Sequence, residues 1–180
     1  QLGLGLKLPT GDFRYQDYFV RNDSTKVLAP VDQAIQLGDG GTGITAELSA
    51  FYSLGQKINL FVQGFYLINP RDQNGVSNLK GRNANPTQIA NNTTVMSVPD
   101  QYSIRGGANY QFRKIVLSGS LRYERVPDED LIGGNKGFRR VATITSAEAA
   151  ITYKMKNTLA FVNLGIPLYR DIEQNIQNDK

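Results

Sequence analysis

The chain has no cysteine, no histidine and no tryptophan, and only two methionines among its 180 residues. Without cysteine there is no disulfide framework, no thiol nucleophile and no thiolate zinc site. Without histidine the commonest metal ligand and the usual proton shuttle near neutral pH are missing as well. No stretch approaches the roughly 18 apolar residues that a membrane-spanning helix needs. No secretory leader is read, since patterned sequence begins at Gln1. With 40% hydrophobic residues, a mean hydropathy of −0.35 and a net charge of +4, the averages suggest an ordinary soluble domain. The order of the residues points elsewhere.

Apolar and polar residues alternate in segment after segment. Leu2, Leu4, Leu6 and Leu8 alternate with Gln1, Gly3, Gly5 and Lys7. Further sets run through Ile44 to Leu54, Ile58 to Ile68, Tyr102 to Phe112, Ile115 to Tyr123, Thr143 to Tyr153 and Ala160 to Leu168. Period two means β-strands with one apolar and one mixed face. Over 45–54 a helix is the alternative, because Ile44, Leu48 and Phe51 would also share a helical face.

The connections alternate too. Tight turns at 55–57, 113–114 and 154–157 take turns with long polar loops at about 9–42, 69–101 and 127–140. Such order is foreign to a soluble sandwich. A transmembrane β-barrel requires it: tilted strands of roughly 9–11 residues cross the hydrocarbon, with short turns on one side and long loops on the other. The expected fold is therefore an all-β, antiparallel, up-and-down transmembrane barrel forming a single domain over 1–180. Seven strands are visible, and even strand number and closure lead us to expect further strands outside this chain at both ends.

On the apolar parity, Tyr52, Tyr110, Phe112 and Tyr153 fall beside the short turns, and Tyr66, Tyr102 and Tyr123 beside the long loops. Two aromatic girdles flanking an aliphatic band suit the two membrane interfaces; a general preference of Tyr for strands is the plainer explanation. The short turns carry Lys57, Arg113, Lys114, Lys154 and Lys156 without an acid.

The other parity would line the lumen. A two-residue turn at 113–114 pairs Phe112 with Ile115 and sets Arg105 opposite Arg122, with Glu124 one diagonal step away to compensate. A charge network including Glu47, Glu148 and Lys7 is the simple reading, and a basic lining favouring anionic solutes the sharper one. The three-residue turn at 55–57 sets Phe51 opposite Phe61, with Gln63, Phe65 and Phe161 also inward. These rings either fill a narrow barrel or line a route for an aromatic solute.

Other motifs carry less. Gly38-Asp-Gly40-Gly-Thr-Gly43 matches a dinucleotide-binding fingerprint literally, but a strand follows it and no acid lies about 20 residues on. Asp32 and Asp39 are a weak candidate pair for a hard cation, lacking the spacing of a calcium loop. Asp128, Glu129 and Asp130 read as a solvated loop tip. The sequons at Asn22, Asn91 and Asn92 matter only in a secreted eukaryotic protein. Scattered Lys and Arg give no nucleic-acid footprint. With no histidine to complete a triad, no catalytic residue and no cofactor are expected, and an enzyme is disfavoured.

The segment Leu4-Gly-Leu-Lys-Leu-Pro-Thr-Gly11, the loop Pro30-Val-Asp-Gln-Ala-Ile-Gln-Leu-Gly-Asp-Gly-Gly41 and the tail Asn163-Leu-Gly-Ile-Pro-Leu-Tyr-Arg170 resemble the outer-membrane barrels of the phenol-degradation meta-pathway and transporter family. The resemblance implies a Gram-negative outer-membrane location, and a porin-like channel or transporter for small, aromatic or anionic solutes. An accessory barrel that partners other outer-membrane proteins through its long loops is the alternative. Lipid and a small solute are the expected partners.

Overall fold

The computed structural model describes residues 1–22 and 24–172; Asp23, within the Asn22 sequon, and the tail 173–180 lie outside the described residues. All seven alternating segments are strands of one sheet: β1 (Leu2–Lys7), β4 (Gly43–Leu54), β5 (Ile58–Ile68), β8 (Gln101–Phe112), β9 (Ile115–Val126), β10 (Ala142–Lys154) and β11 (Leu159–Ile172). They pair antiparallel in chain order, β1-β4-β5-β8-β9-β10-β11, as a meander. The helical alternative over 45–54 is overturned: β4 pairs along its length with β5, from Ile44 with Ile68 to Leu54 with Ile58.

The turns hold the expected registers. Phe112 pairs with Ile115 and Arg105 with Arg122; Phe51 pairs with Phe61. Gly55 opens its three-residue turn at φ 71, a left-handed conformation that costs glycine nothing. One irregularity interrupts the β10–β11 ladder, between Thr145 and Ser146, opposite Tyr169 and Pro167. Pro167 has no N–H to give the ladder, and a bulge in an edge strand is where that is tolerated.

The sheet is open. Among the described residues β1 pairs only with β4 and β11 only with β10, so no closed barrel is formed.

Its two faces are inverted relative to a water-soluble sheet. The aliphatic parity is the more exposed, with Ile104 at 53%, Leu121 at 58% and Leu164 at 66%, while Phe61 on the mixed parity is 7% exposed. We call the less exposed side the inner face.

The long connections are structured. The first contains the hairpin β2 (Gln16–Asn22) and β3 (Thr25–Pro30); the second contains β6 (Gln73–Ser77), helix α1 (Pro86–Ala90) and β7 (Val95–Ser97). Strands of three to seven residues are too short to stand out as period two in a polar stretch. With 127–141 they pack around Met96 and Val98, both fully buried, together with Ala29, Val31, Val76 and Phe138. A backbone bridge joins Met96 to Phe138, and the Gln33 side chain donates 2.6 Å to the Ser97 carbonyl. This loop core meets the sheet at Leu67 and Gly43, where a Cβ on Gly43 would collide with Leu67 and with the Ile68 carbonyl.

Close approach on the inner face has a specific requirement at residue 107. A Cβ on Gly107 would run into the Gly119 carbonyl oxygen and Ser120, whereas Gly119, on the outer parity, has nothing within 4 Å of its Cβ position. Gly107→Ala is therefore expected to lower stability by about 1–3 kcal/mol, as overpacking does, and Gly119→Ala to change it by less than about 0.5 kcal/mol or raise it. Urea midpoints of the two variants in detergent micelles check this; equal midpoints would refute the close approach.

Candidate functional site: charged groups on the inner face

Rows across the sheet explain how the charges meet. Phe61 lies opposite Gly107 and Gly107 opposite Ser120; Ser120 faces Glu148. Glycine and serine between two long side chains leave room for Arg105, from the adjacent row, to lean across. Its guanidinium sits 5.2 Å from the centre of the Phe61 ring, a cation–π distance. Its Nε lies 2.6 Å from Glu148 Oε2 and donates 3.2 Å to Ser120 Oγ, while Nη1 donates 3.4 Å to Gln63 Oε1. Ser120 in turn donates 3.2 Å to Glu148.

Arg122 takes the other Glu148 oxygen, Nε to Oε1 at 3.1 Å. Its Nη2 lies 3.3 Å from Glu124. Two like charges placed opposite each other are thus held by one carboxylate, which is 9% exposed against 31% and 41% for the arginines. The sequence reading needs correction here. Glu124 pairs with Arg122 and does not compensate Arg105; Glu148, two strands from Arg105, compensates both. An antiparallel neighbour can be counted from a turn, but a partner two strands away depends on two registers at once.

The remaining lumen candidates divide. Glu47, Gln63, Phe65, Arg105 and Arg122 border one open groove of about 240 Å3 on the inner face. Glu47 itself forms no ion pair among the described residues. Lys7 leaves the expected network for the loop end, where it pairs with Asp39 and approaches Asn69 Oδ1 at 3.4 Å. Phe51, opposite Phe61, is 63% exposed, and Phe161 is 73% exposed on β11; neither is packed like Phe61.

The aromatic candidates are ordered on the outer face. Tyr66 stacks on Tyr102, ring centres 5.4 Å apart and planes 5° off parallel; Tyr123 follows at 6.3 Å. Tyr52, Tyr110, Phe112 and Tyr153 lie toward the short turns, each at least 41% exposed. Tyr102 to Tyr110 spans eight residues of β8, about 26 Å along the strand.

Two acids proposed for a cation are occupied otherwise. Asp32 pairs with Arg140 at 2.8 Å and Lys80 at 3.6 Å, and Asp39 with Lys7. Among the described residues no group of three potential protein ligands converges. The acidic cluster is also corrected. Asp128 is exposed, but the Asp130 side chain is fully buried and forms two bonds of 2.9 and 2.8 Å to Arg139. Sequence reasoning missed this pair, and missed Asp100, fully buried, which accepts from the Asn69 and Leu131 backbone at 2.7 and 2.9 Å. Each partner is at least nine residues distant in the chain, across a loop with no period to announce it.

No family model, no curated protein and no solved structure matches the chain. No helix among the described residues is long and apolar enough to cross a membrane, which says nothing of strands.

Glu148→Gln leaves two partly buried arginines facing each other and is expected to cost about 1–3 kcal/mol. Glu124→Gln, at an exposed pair, should cost less than about 1 kcal/mol. Denaturation midpoints rank them; the reverse order would exclude Glu148 as the anchor. A pH dependence follows at Asp32. Burial raises its pKa, but the Ala34 N–H bond, Arg140 and Lys80 outweigh burial and leave it below 3.8. A depressed folded pKa adds stability above the unfolded value, and that stability is lost as pH falls through the folded pKa. A carboxyl NMR titration should find the Asp32 midpoint below 3.8, moving upward in Arg140→Gln.

Proposed function

We propose that this chain is the membrane-crossing sheet of a bacterial outer-membrane β-barrel that passes small solutes along its inner face. The inverted pair of faces carries the reading: the more exposed side is Leu, Ile, Val and Ala between rows of Tyr, and the less exposed side holds Arg105, Arg122, Glu124 and Glu148. In water that arrangement wastes apolar burial; in lipid it is the stable one. Lengths of 11 to 14 residues in the sheet strands β4, β5, β8, β9, β10 and β11 support it. At a tilt of about 40° the rows of Tyr would stand about 20 Å apart, near the ~25 Å apolar band of such barrels. The motifs resembling the phenol-degradation meta-pathway and transporter barrels point the same way. In a bilayer the edges of β1 and β11 must find hydrogen-bond partners, so the reading requires strands that pair with them.

Arg105 and Arg122 are matched by Glu148 and Glu124, so the inner face favours small polar solutes of either sign, with Phe61 and Phe65 offering contact to an aromatic one. A second reading, an accessory barrel that binds other outer-membrane proteins, draws support from the packed core of the long loops around Met96 and Val98.

Planar-bilayer recording separates the two. For a channel, the barrel closed by strands pairing with β1 and β11 conducts, and Arg105→Glu with Arg122→Glu raises its cation-over-anion permeability several-fold. Insertion without conductance would favour the accessory barrel, and a chain that stays soluble without detergent would overturn both.

A further inference from the structure

Away from the inner face, a second cavity of about 480 Å3 opens among the long loops, within the size range of small-molecule clefts. Its walls are polar. Lys80 and Arg82 come from the β6–β7 connection, Asp32 from the residues after β3 and Arg140 from the start of the approach to β10. Arg140 and Lys80 converge on the same oxygen, Asp32 Oδ2, at 2.8 and 3.6 Å. Three cations face one carboxylate, leaving an excess of two positive charges. Arg82, Asn78 and Asn83 border the same space, and their side chains make no hydrogen bond with the described residues. The backbone is held in place for this: Lys80 has φ 49 and Gly81 φ 73, and Gly81 lies so close to Val27 of β3 that a Cβ there would collide with it.

We propose that this cavity binds a phosphorylated sugar. A phosphate monoester carries close to two negative charges near neutral pH, which matches the excess left by Lys80, Arg82 and Arg140 against Asp32. The planar guanidinium of Arg82 presents paired donors to phosphate oxygens. Asn78 and Asn83 supply both donors and acceptors, as sugar hydroxyls require. An apolar ligand finds little surface here. The proposal stands apart from the reading of the sheet as a channel.

The ligand could be a free sugar phosphate or the phosphorylated sugar headgroup of a membrane glycolipid. Calorimetric titration of the full chain in detergent micelles with glucose 6-phosphate, glucose and inorganic phosphate tests the first. The expected result is affinity for glucose 6-phosphate at least about tenfold above either part alone, falling about tenfold in Arg82→Gln and in Lys80→Gln. Arg21→Gln, exposed on β2, controls for net charge and should leave it unchanged. Mixed micelles containing lipid A or its dephosphorylated form test the second. Binding that needs the phosphate and is lost in Arg82→Gln supports the site and assigns a lipid source. The proposal is overturned if neither probe binds, if inorganic phosphate binds as tightly as glucose 6-phosphate, or if binding survives Arg82→Gln. Unchanged circular dichroism of the variants excludes misfolding as the cause of a loss.

Discussion

Register is the constraint on which this molecule depends. Side chains alternate with period two, so a one-residue slip between β8 and β9 or between β9 and β10 would put Arg105, Arg122 and Glu148 on opposite faces of the sheet. The tight turns prevent this at β4–β5 and β8–β9, and the bulge at Thr145 and Ser146 absorbs the one irregularity between β10 and β11. Everything on the inner face follows from these pairings holding together.

Within that frame one carboxylate does the electrostatic work. Arg105 and Arg122 stand opposite each other, an arrangement that would repel if the two were alone. Glu148 offers an oxygen to each at 2.6 and 3.1 Å. Small residues at Gly107 and Ser120 leave the path open, and Phe61 covers the guanidinium from the other side. Packing and charge thus act together: the small residues let the arginine reach across, and Glu148 supplies the opposite charge it meets there.

The loop end solves a different problem. Long connections carry many backbone polar groups, and burying them requires partners. Here buried side chains supply them. Asp100 accepts from two backbone N–H groups, Asn69 donates to the Pro99 carbonyl, and Arg139 donates to the Pro127 and Asp128 carbonyls while paired with Asp130. Arg140, which pairs with Asp32, follows Arg139 directly in the chain.

The seven strands of the large sheet, their order, two turn registers and the facing of Arg105 and Arg122 were legible from the residues alone, because period two and turn length are local; the short strands β2, β3, β6 and β7 inside the long connections were not. Tertiary structure decided what sits between those arginines, which phenylalanine is buried, and that Asp130 lies inside while Asp128 stays outside. Those outcomes depend on residues brought together from two or more strands or loops at once, and no single stretch of sequence carries that information. The sheet's open edges belong to the same category: alternation marks a strand as having two faces, but only the assembled sheet tells which of its edges are paired.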